Sequence, residues 1–169
     1  IASLLPLSTA PAAEPGVGGS VYVAHKMQGY GGTALEGIFA STPADINNLA
    51  TPDYWGYCVE HDVPAGTFRT AAVAAPPSYL GSNYFTSAAI QAKVLWVMAH
   101  SYPYLSLSDL GTAAGAPGIS ASDAIEAAQY AIWRYTDLNF DAAWNWSTTN
   151  SETAYWYLVN GANASSGMT

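Results

Sequence analysis

Positively charged residues are scarce in this chain. Its 169 residues include only 4 Lys and Arg against 12 Asp and Glu, so the formal charge at pH 7 is −8. Charged residues make up 9% of the chain, whereas about 25% is typical of soluble proteins. Proteins that bind nucleic acids or anionic membranes carry clusters of Lys and Arg. The composition therefore argues against nucleic acid and against a membrane surface as partners.

Cysteine is nearly absent as well, because Cys58 is the only one in the sequence. A lone cysteine cannot form a disulfide within the chain, so it is a buried apolar residue, an intermolecular link or a reactive thiol. Cys58 and His61 have the spacing of half a zinc site, but the sequence has three histidines and no second pair to complete one. We therefore expect neither a metal ion nor another cofactor.

Long apolar runs are missing too, since none approaches the about 18 residues that span a membrane. The first ten residues, IASLLPLSTA, resemble the end of a signal peptide, and the Pro/Ala/Gly-rich stretch after them resembles a linker. We therefore expect residues 1–20 to be a signal remnant or flexible linker, 21–161 a single domain and 162–169 a tail. This organisation predicts a secreted protein.

Apolar and aromatic residues, in contrast, are abundant. Hydrophobic residues make up 50% of the chain and aromatic residues 13%, which is enough to bury a core and excludes a disordered protein. Between residues 21 and 77, short runs of Val, Tyr, Phe and Trp alternate with Gly and Pro, a pattern typical of β-strands. It predicts strands at 21–25, 35–40, 54–61 and 66–73.

The hydrophobic period becomes helical after this region. Ile90, Val94 and Val97 recur at helical spacing and predict a helix that begins near residue 86. Because a proline disfavours helical geometry in the residue before it, this helix ends near residues 100–102, before Pro103.

Capping sequences predict two further helices. Ser120–Asp123 is a capping-box variant, and a similar sequence occurs at Ser106–Asp109. Thr149–Glu152 matches the capping box in full, and Asn160–Gly161 predicts the end of that helix. Strands followed by helices indicate an α+β fold, in which an N-terminal sheet or sandwich-like part packs on a C-terminal helical part.

Gln129 is unusual because it lies in the apolar stripe of the helix that begins at Ser120. It shares this face with Ile125, Ile132 and Trp133. A buried amide costs free energy unless its donors and acceptor are paired. Gln129 is therefore either a core glutamine bonded to a group such as His100, or a side chain with a chemical use.

Cys58 allows several functions when considered alone. A Cys-dependent hydrolase or acyltransferase would pair it with His61 or His100. Such enzymes usually place the nucleophile at a helix N-terminus, whereas the sequence around Cys58 predicts an extended segment, which speaks against an ordinary cysteine hydrolase. A non-covalent binding module is the third class, suggested by the six Trp and the acidic surface.

Two segments together resemble one family. Tyr57-Cys58-Val59-Glu60 is similar to the aromatic-Cys-aliphatic motif of the thioester domains in surface adhesins of Gram-positive bacteria. Ala128-Gln129-Tyr130-Ala131-Ile132-Trp133 resembles their second motif, usually Thr-Gln-x-Ala-Ile/Val-Trp, with Ala128 in place of Thr. The segments His100–Pro103, Ile119–Glu126 and Arg134–Asp137 also resemble the family, so the similarity extends over about residues 21–160.

This resemblance implies an internal thioester between Cys58 and Gln129, at the interface of the β and helical parts. It implies a covalent adhesion domain that acylates a lysine amine on a host surface or extracellular-matrix protein, once per molecule and so not as an enzyme. A virulence-related protein, secreted, monomeric and anchored to the cell wall, would fit. The candidates for shielding or assisting the bond are Tyr57, Glu60, His61, His100, Tyr130 and Trp133, although the aromatic ones equally suit an ordinary core.

Overall fold

The fold places four strands before four helices. A computed structural model describes residues 16–137 and 146–166. The strands are β1 (Ser20–Gln28), β2 (Ala34–Phe39), β3 (Tyr54–Gly56) and β4 (Arg69–Ala72), and the helices are α1 (Ala88–Ala99), α2 (Leu107–Ala114), α3 (Ala121–Thr136) and α4 (Thr149–Ala164). The α+β class is confirmed. Most of the predicted leader or linker and the end of the predicted tail lie outside the described residues.

The strands form one antiparallel sheet in the order β3-β2-β1-β4, so the described β part is a single layer rather than a sandwich. Val23 of β1 is opposite Ile38 of β2, and Glu36 of β2 is opposite Gly56 of β3. Because opposed residues share a face and alternate residues of a strand do too, Val23, Glu36 and Ile38 lie on the same face of the sheet.

Helix α3 is the centre of the molecule. Thirteen of its sixteen residues are buried, because it packs against α1 and α4 on one side and β2 on the other. The alanines at positions 124, 127, 128 and 131 are fully buried, and their small side chains let neighbouring elements approach closely. Gln129 lies in the middle of this helix, so its surroundings are set by every layer of the fold. None of the described helices has the length and apolarity needed to span a bilayer.

The third predicted strand is shorter than expected. The sequence pattern predicts a strand over 54–61, but β3 ends at Gly56. The backbone N–H and C=O of Cys58 are hydrogen-bonded to the side chain of Gln129, so these groups are not available to a neighbouring strand. The strand therefore ends where the Cys58–Gln129 contact begins.

The predicted helix ends needed two corrections. The N-cap of α4 is Thr148, whose hydroxyl accepts the Ser151 N–H, so the predicted cap at Thr149 is one residue too late. The helix also continues through Gly161 to Ala164. A Cβ at position 161 would come within 2.0 Å of the Trp96 ring, so this glycine allows close helix packing and does not end the helix.

Helix α2 follows the sequence Ser106–Asp109, which resembles a helix start. The Ser106 hydroxyl accepts the Asp109 N–H, and Gly115 ends the helix with a left-handed backbone conformation. In the sequence, the similarity of Ser106–Asp109 to the cap at Ser120–Asp123 indicated the start of this helix.

Candidate functional site

Cys58 and Gln129 form a reciprocal pair of hydrogen bonds, although they are 71 residues apart in sequence. The Cys58 backbone N–H donates to Gln129 Oε1 at 3.0 Å, and Gln129 Nε2 donates to the Cys58 carbonyl at 2.7 Å. An N–H can only donate and a carbonyl can only accept, so these two partners fix the orientation of the amide. The amide carbonyl is therefore polarised by the backbone of the cysteine beside it.

Gln129 is almost completely removed from solvent, with 1% of its surface exposed. Its two amide bonds go to Cys58, so the expected bond to His100 is not formed. His100 lies at the C-terminal end of α1, where its ring stacks on Trp96 with the centroids 3.8 Å apart. Of the two histidines predicted to assist Cys58, the structure does not bring His100 to the site.

Two side chains, those of Tyr57 and Asn83, anchor the segment that contains Cys58. The Tyr57 hydroxyl donates to the Tyr102 carbonyl at 2.6 Å, and burial raises the pKa of this hydroxyl well above its usual value. Asn83 Nδ2 donates to the Val59 carbonyl at 2.6 Å. These contacts fix the backbone on both sides of Cys58, which in turn fixes the groups that hold Gln129.

The Cys58 thiol is held in its protonated form. The sulfur lies 3.0 Å from the Glu60 carbonyl and donates to it. Burial raises the pKa of this thiol most, and together with the nearby carboxylates of Glu60, Glu36 and Asp137 it outweighs a backbone hydrogen bond at Glu60 that lowers the pKa. A Cys-dependent hydrolase needs the opposite, a thiol of lowered pKa at a helix N-terminus. Cys58 instead follows β3, whereas the sequence pattern placed it within the strand predicted over 54–61.

A cavity of about 250 Å³ opens directly onto the pair. Its lining combines groups from the sheet, from α3 and from the loop after β3: Gly32, Ala34, Glu36, Cys58, His61, Val63, Pro64, Ala65, Gln129 and Trp133. Aliphatic side chains of the loop and ionisable groups therefore face the same space. The cavity can admit a small polar group to the Cys58–Gln129 contact.

His61 is the best-oriented ionisable group at this cavity. Its Nδ1 lies 2.8 Å from Asp62 Oδ1, its backbone N–H donates to Asp137 Oδ2 at 2.8 Å, and its ring meets the Trp133 ring edge-on. A carboxylate at Nδ1 selects one tautomer and orientation of the imidazole. His61 is therefore positioned to accept or donate a proton at the cavity.

Among the described residues, His61, Asp62 and Asp137 form one group that could hold a metal ion. The ligand atoms of His61, Asp62 and Asp137 lie within 4.8 Å of one another. Asp62 already pairs with the His61 imidazole, and Asp137 already accepts the His61 backbone N–H. The Asp62 side chain is also 67% exposed. These hydrogen bonds account for the group without an ion.

The predicted shielding residues lie at different distances from the pair. Trp133 lines the cavity and is 7% exposed. Tyr57 packs on the helical core beside Cys58. Tyr130 is buried with its ring near those of Trp133 and Trp146, and burial and Glu126 raise the pKa of its hydroxyl to about 12. Of the three, Trp133 is the one that lines this cavity.

Several residues of the site had no local signal in the sequence. Glu36 lies within β2, Asn83 caps the start of a short 3-10 helix, and Tyr79 lies in the loop after another short 3-10 helix. Burial raises the pKa of the Tyr79 hydroxyl, and the nearby Glu60 carboxylate raises it further. Asp137 is the exception, because it belongs to a segment that resembled the family. Only the folded chain brings these groups to Cys58.

The fold and the site together define an α+β domain with a buried glutamine amide held against a lone cysteine. A family model described as "Thioester domain" matches residues 55–164, which is more than half of the chain. The protein therefore belongs to the thioester domain family. No curated protein and no solved structure gave a match. Membership supports a thioester-domain function, that of an extracellular adhesion domain that binds its target covalently.

Proposed function

We propose that Cys58 and Gln129 form an internal thioester and that the domain then acylates a lysine amine on a host surface or extracellular-matrix protein. The observation that carries this proposal is the reciprocal hydrogen bonding of the Gln129 amide with the Cys58 backbone. It supports a reacting pair because the amide carbonyl is both polarised and held next to the one cysteine of the chain. The bond would form without any cofactor.

Thioester formation is an exchange at the Gln129 carbonyl. The Cys58 sulfur adds to the carbonyl carbon, and the Cys58 N–H stabilises the negative charge that develops on Oε1. The carbon–nitrogen bond then breaks, and the amide nitrogen leaves as ammonia with the thiol proton. Positioning supplies most of the rate, since well-oriented intramolecular reactions reach effective molarities of about 10⁵–10⁸ M.

The acylation of a partner reverses thioester formation, with a lysine amine in the place of the ammonia that left. A lysine amine enters the cavity, loses a proton to His61, and attacks the thioester carbonyl. The carbon–sulfur bond breaks, and the proton passes to the Cys58 sulfur, whose raised pKa favours the thiol. Residue 129 ends as a substituted amide and Cys58 as a free thiol. Because nothing regenerates the thioester, each molecule reacts once and is not an enzyme.

The proposed bond suits attachment to a surface. A covalent amide is not limited by the ceiling of non-covalent affinity, so it holds under a force that would separate a reversible complex. A protein exported by a Gram-positive bacterium and anchored to its cell wall would use such a domain in host interaction and virulence. The low number of lysines also limits reaction of one copy with another.

Intact mass tests the thioester. The purified domain should be lighter than its sequence by one ammonia, and Cys58→Ala and Gln129→Ala should both restore the full mass. Methylamine should then add its own mass to the wild type at residue 129, as shown by peptide mapping. A wild-type protein of full mass that contains Gln at residue 129 and an alkylatable thiol would contradict the proposal. Glu at residue 129 would indicate that a thioester had formed and then hydrolysed.

The same variants separate the other two functions. A Cys-dependent hydrolase that uses Cys58 and His61 would turn over repeatedly and would tolerate Gln129→Ala. A non-covalent binding module would keep its binding in Cys58→Ala and release its partner on dilution. A covalent adhesion domain would form no conjugate in either variant. Cys58→Ala and Gln129→Ala together therefore distinguish the three functions.

A further inference from the structure

A second cavity meets the first at Cys58. It has a volume of about 200 Å³ and is lined by Val23, Glu36, Ile38, Gly56, Tyr57, Cys58, Ala65 and Gly66. Three of these residues, Glu36, Cys58 and Ala65, also line the cavity that contains Gln129 and His61. The two spaces are therefore neighbours that share the reacting cysteine and the loop residue above it.

The two cavities differ in chemistry. Val23 and Ile38 face each other across β1 and β2 and form an aliphatic wall. The Tyr57 hydroxyl is bonded to the Tyr102 carbonyl, so its ring is the part available to the second cavity. Cys58, Glu36 and the bonded hydroxyl of Tyr57 are the ionisable groups in this lining, whereas the first cavity contains His61 and lies beside Asp137. The second cavity suits an aliphatic or aromatic side chain.

The positively charged side chain of Arg69 lies at the edge of the second cavity. A Cβ on Gly66 would lie 1.4 Å from Arg69 Nη2, so the Arg69 guanidinium lies directly against this lining glycine. Glu36 lines both cavities, whereas Asp137 accepts the His61 N–H at the first one and Glu60 also lies near Cys58. An incoming ammonium is therefore drawn to the first cavity, while a second basic side chain is disfavoured in the other.

We propose that the second cavity is a subsite for an apolar side chain that lies next to the reacting lysine of the partner protein. This inference rests on the proposed function. The lysine enters the polar cavity that contains Gln129, and its apolar neighbour lies between Val23, Ile38 and the Tyr57 ring. The domain thereby selects among lysines by the residue beside them. An apolar contact of this size changes a rate by about tenfold or more.

Short peptides with a single lysine and a blocked N-terminus test the selection. The residue next to the lysine is Leu in one peptide, Ser in a second and Arg, a basic residue, in a third. Intact mass spectrometry measures the rate at which each peptide forms an adduct with the domain. We expect the Leu peptide to react about tenfold faster than the Ser peptide and the Arg peptide to be no faster than the Ser peptide. Equal rates for the Leu and Ser peptides would overturn the subsite.

A matched pair of variants locates the effect. Val23→Phe fills the second cavity and should remove the preference for the Leu peptide, whereas Val17→Phe makes the same change at a 70% exposed position and should leave it intact. Val23→Ser, which makes the wall polar, should also weaken the preference and covers the case in which Val23→Phe does not fold. A Leu preference that survives both Val23 variants would overturn the assignment to this cavity.

Methylamine separates this inference from the proposed function. It needs only the first cavity, so its rate in Val17→Phe should equal that in the wild type, and each peptide rate of a Val23 variant is divided by the methylamine rate of the same variant. A protein that reacts with methylamine but not selectively with the peptides would lack the subsite and keep the thioester. A protein that does not react with methylamine at all would overturn the proposed function, and the subsite with it.

Discussion

The reactivity of Cys58 depends on the state of one proton. Burial and three nearby carboxylates favour the thiol over the thiolate. A sulfur of raised pKa leaves a carbonyl slowly unless a proton reaches it, so a thioester at this position would resist water until a proton donor at the cavity assists. After the reaction the same effect keeps Cys58 protonated, and a thiol is too weak a nucleophile to cleave the new amide.

The raised pKa of Cys58 can be measured in Gln129→Ala, which cannot form the thioester. Alkylation by iodoacetamide requires the thiolate, and the folded protein disfavours this form. We expect the alkylation rate to reach its half-maximum above about pH 8.5, the usual value for cysteine. The same variant unfolded in guanidinium chloride is the control and should titrate near the usual value. A folded midpoint at or below that of the unfolded chain would contradict the proposed surroundings of the thiol.

At the scale of the elements, Asp123 joins the starts of two helices. Its carboxylate accepts the Ser120 N–H at the start of α3 and the Thr148 hydroxyl at the start of α4. Burial by itself would raise the pKa of Asp123, but the hydrogen bonds from Thr148 and Ser120 outweigh it and lower the pKa below the usual value. The side chain therefore stabilises the fold in its ionised form.

Asp123→Asn should lower the free energy of unfolding at neutral pH by about 1–3 kcal/mol, since charged hydrogen bonds are lost from a buried site. Because the folded pKa lies below the unfolded one, the contribution is present above about pH 3.9 and is lost as the pH falls through the folded pKa. Urea unfolding of both proteins at neutral and acidic pH measures this. The difference between wild type and variant should shrink on acidification.

Helix α2 supplies the control for this prediction. Asp109 occupies the same position after Ser106 as Asp123 after Ser120, but it is exposed, and within the described part of the chain its side chain bonds to Ser106 of its own cap. Asp109→Asn should therefore cost no more than about 1 kcal/mol. Equal losses in the two variants would show that the link between α3 and α4 adds nothing to the capping itself.

For the whole molecule, the proposed thioester would join the segment after the sheet to the central helix. Cys58 and Gln129 are 71 residues apart, and a cross-link over a loop of this size removes chain entropy worth about 4 kcal/mol, with about 2–4 kcal/mol commonly observed. The bond thus stabilises the same interface at which it reacts. Reaction with a partner would release this constraint.

Calorimetry of the closed and opened forms measures this effect. The Tm of the native domain should fall by roughly 5–15 °C after the thioester is opened with methylamine. Cys58→Ala, which has no thioester, should show the same Tm with and without methylamine. Equal Tm values for the native and opened wild type would mean that the cross-link does not constrain unfolding.

The distribution of charge also acts over the whole molecule. Lys93 donates to Asn163 Oδ1 and lies over the Tyr135 ring, at the contact of α1 and α4 and outside the lining of the reactive cavity. The net charge of −8 favours the approach of cationic partners, an attraction that salt would weaken. The scarcity of lysine and the excess of acid both suit a domain that reacts with the amines of other molecules.

The sequence by itself determined the fold class, the capping of α3 and the two residues of the candidate bond. Strand alternation, helical period and caps are local, and Cys58 and Gln129 stand in short motifs that can be recognised without a structure. It also indicated Gln129 independently, because an amide in an apolar stripe requires a partner.

Only the tertiary structure decided what surrounds that pair. Glu36, Asn83 and Asp137 come from a strand, a loop and a helix end, and no sequence spacing relates them to Cys58. The structure separated His61, which lies at the cavity, from His100, which stacks on Trp96. In the structure β3 also ends earlier than predicted, because the Gln129 side chain occupies the Cys58 N–H and C=O that a neighbouring strand would need. Contacts between distant segments depend on packing, which a local pattern does not encode.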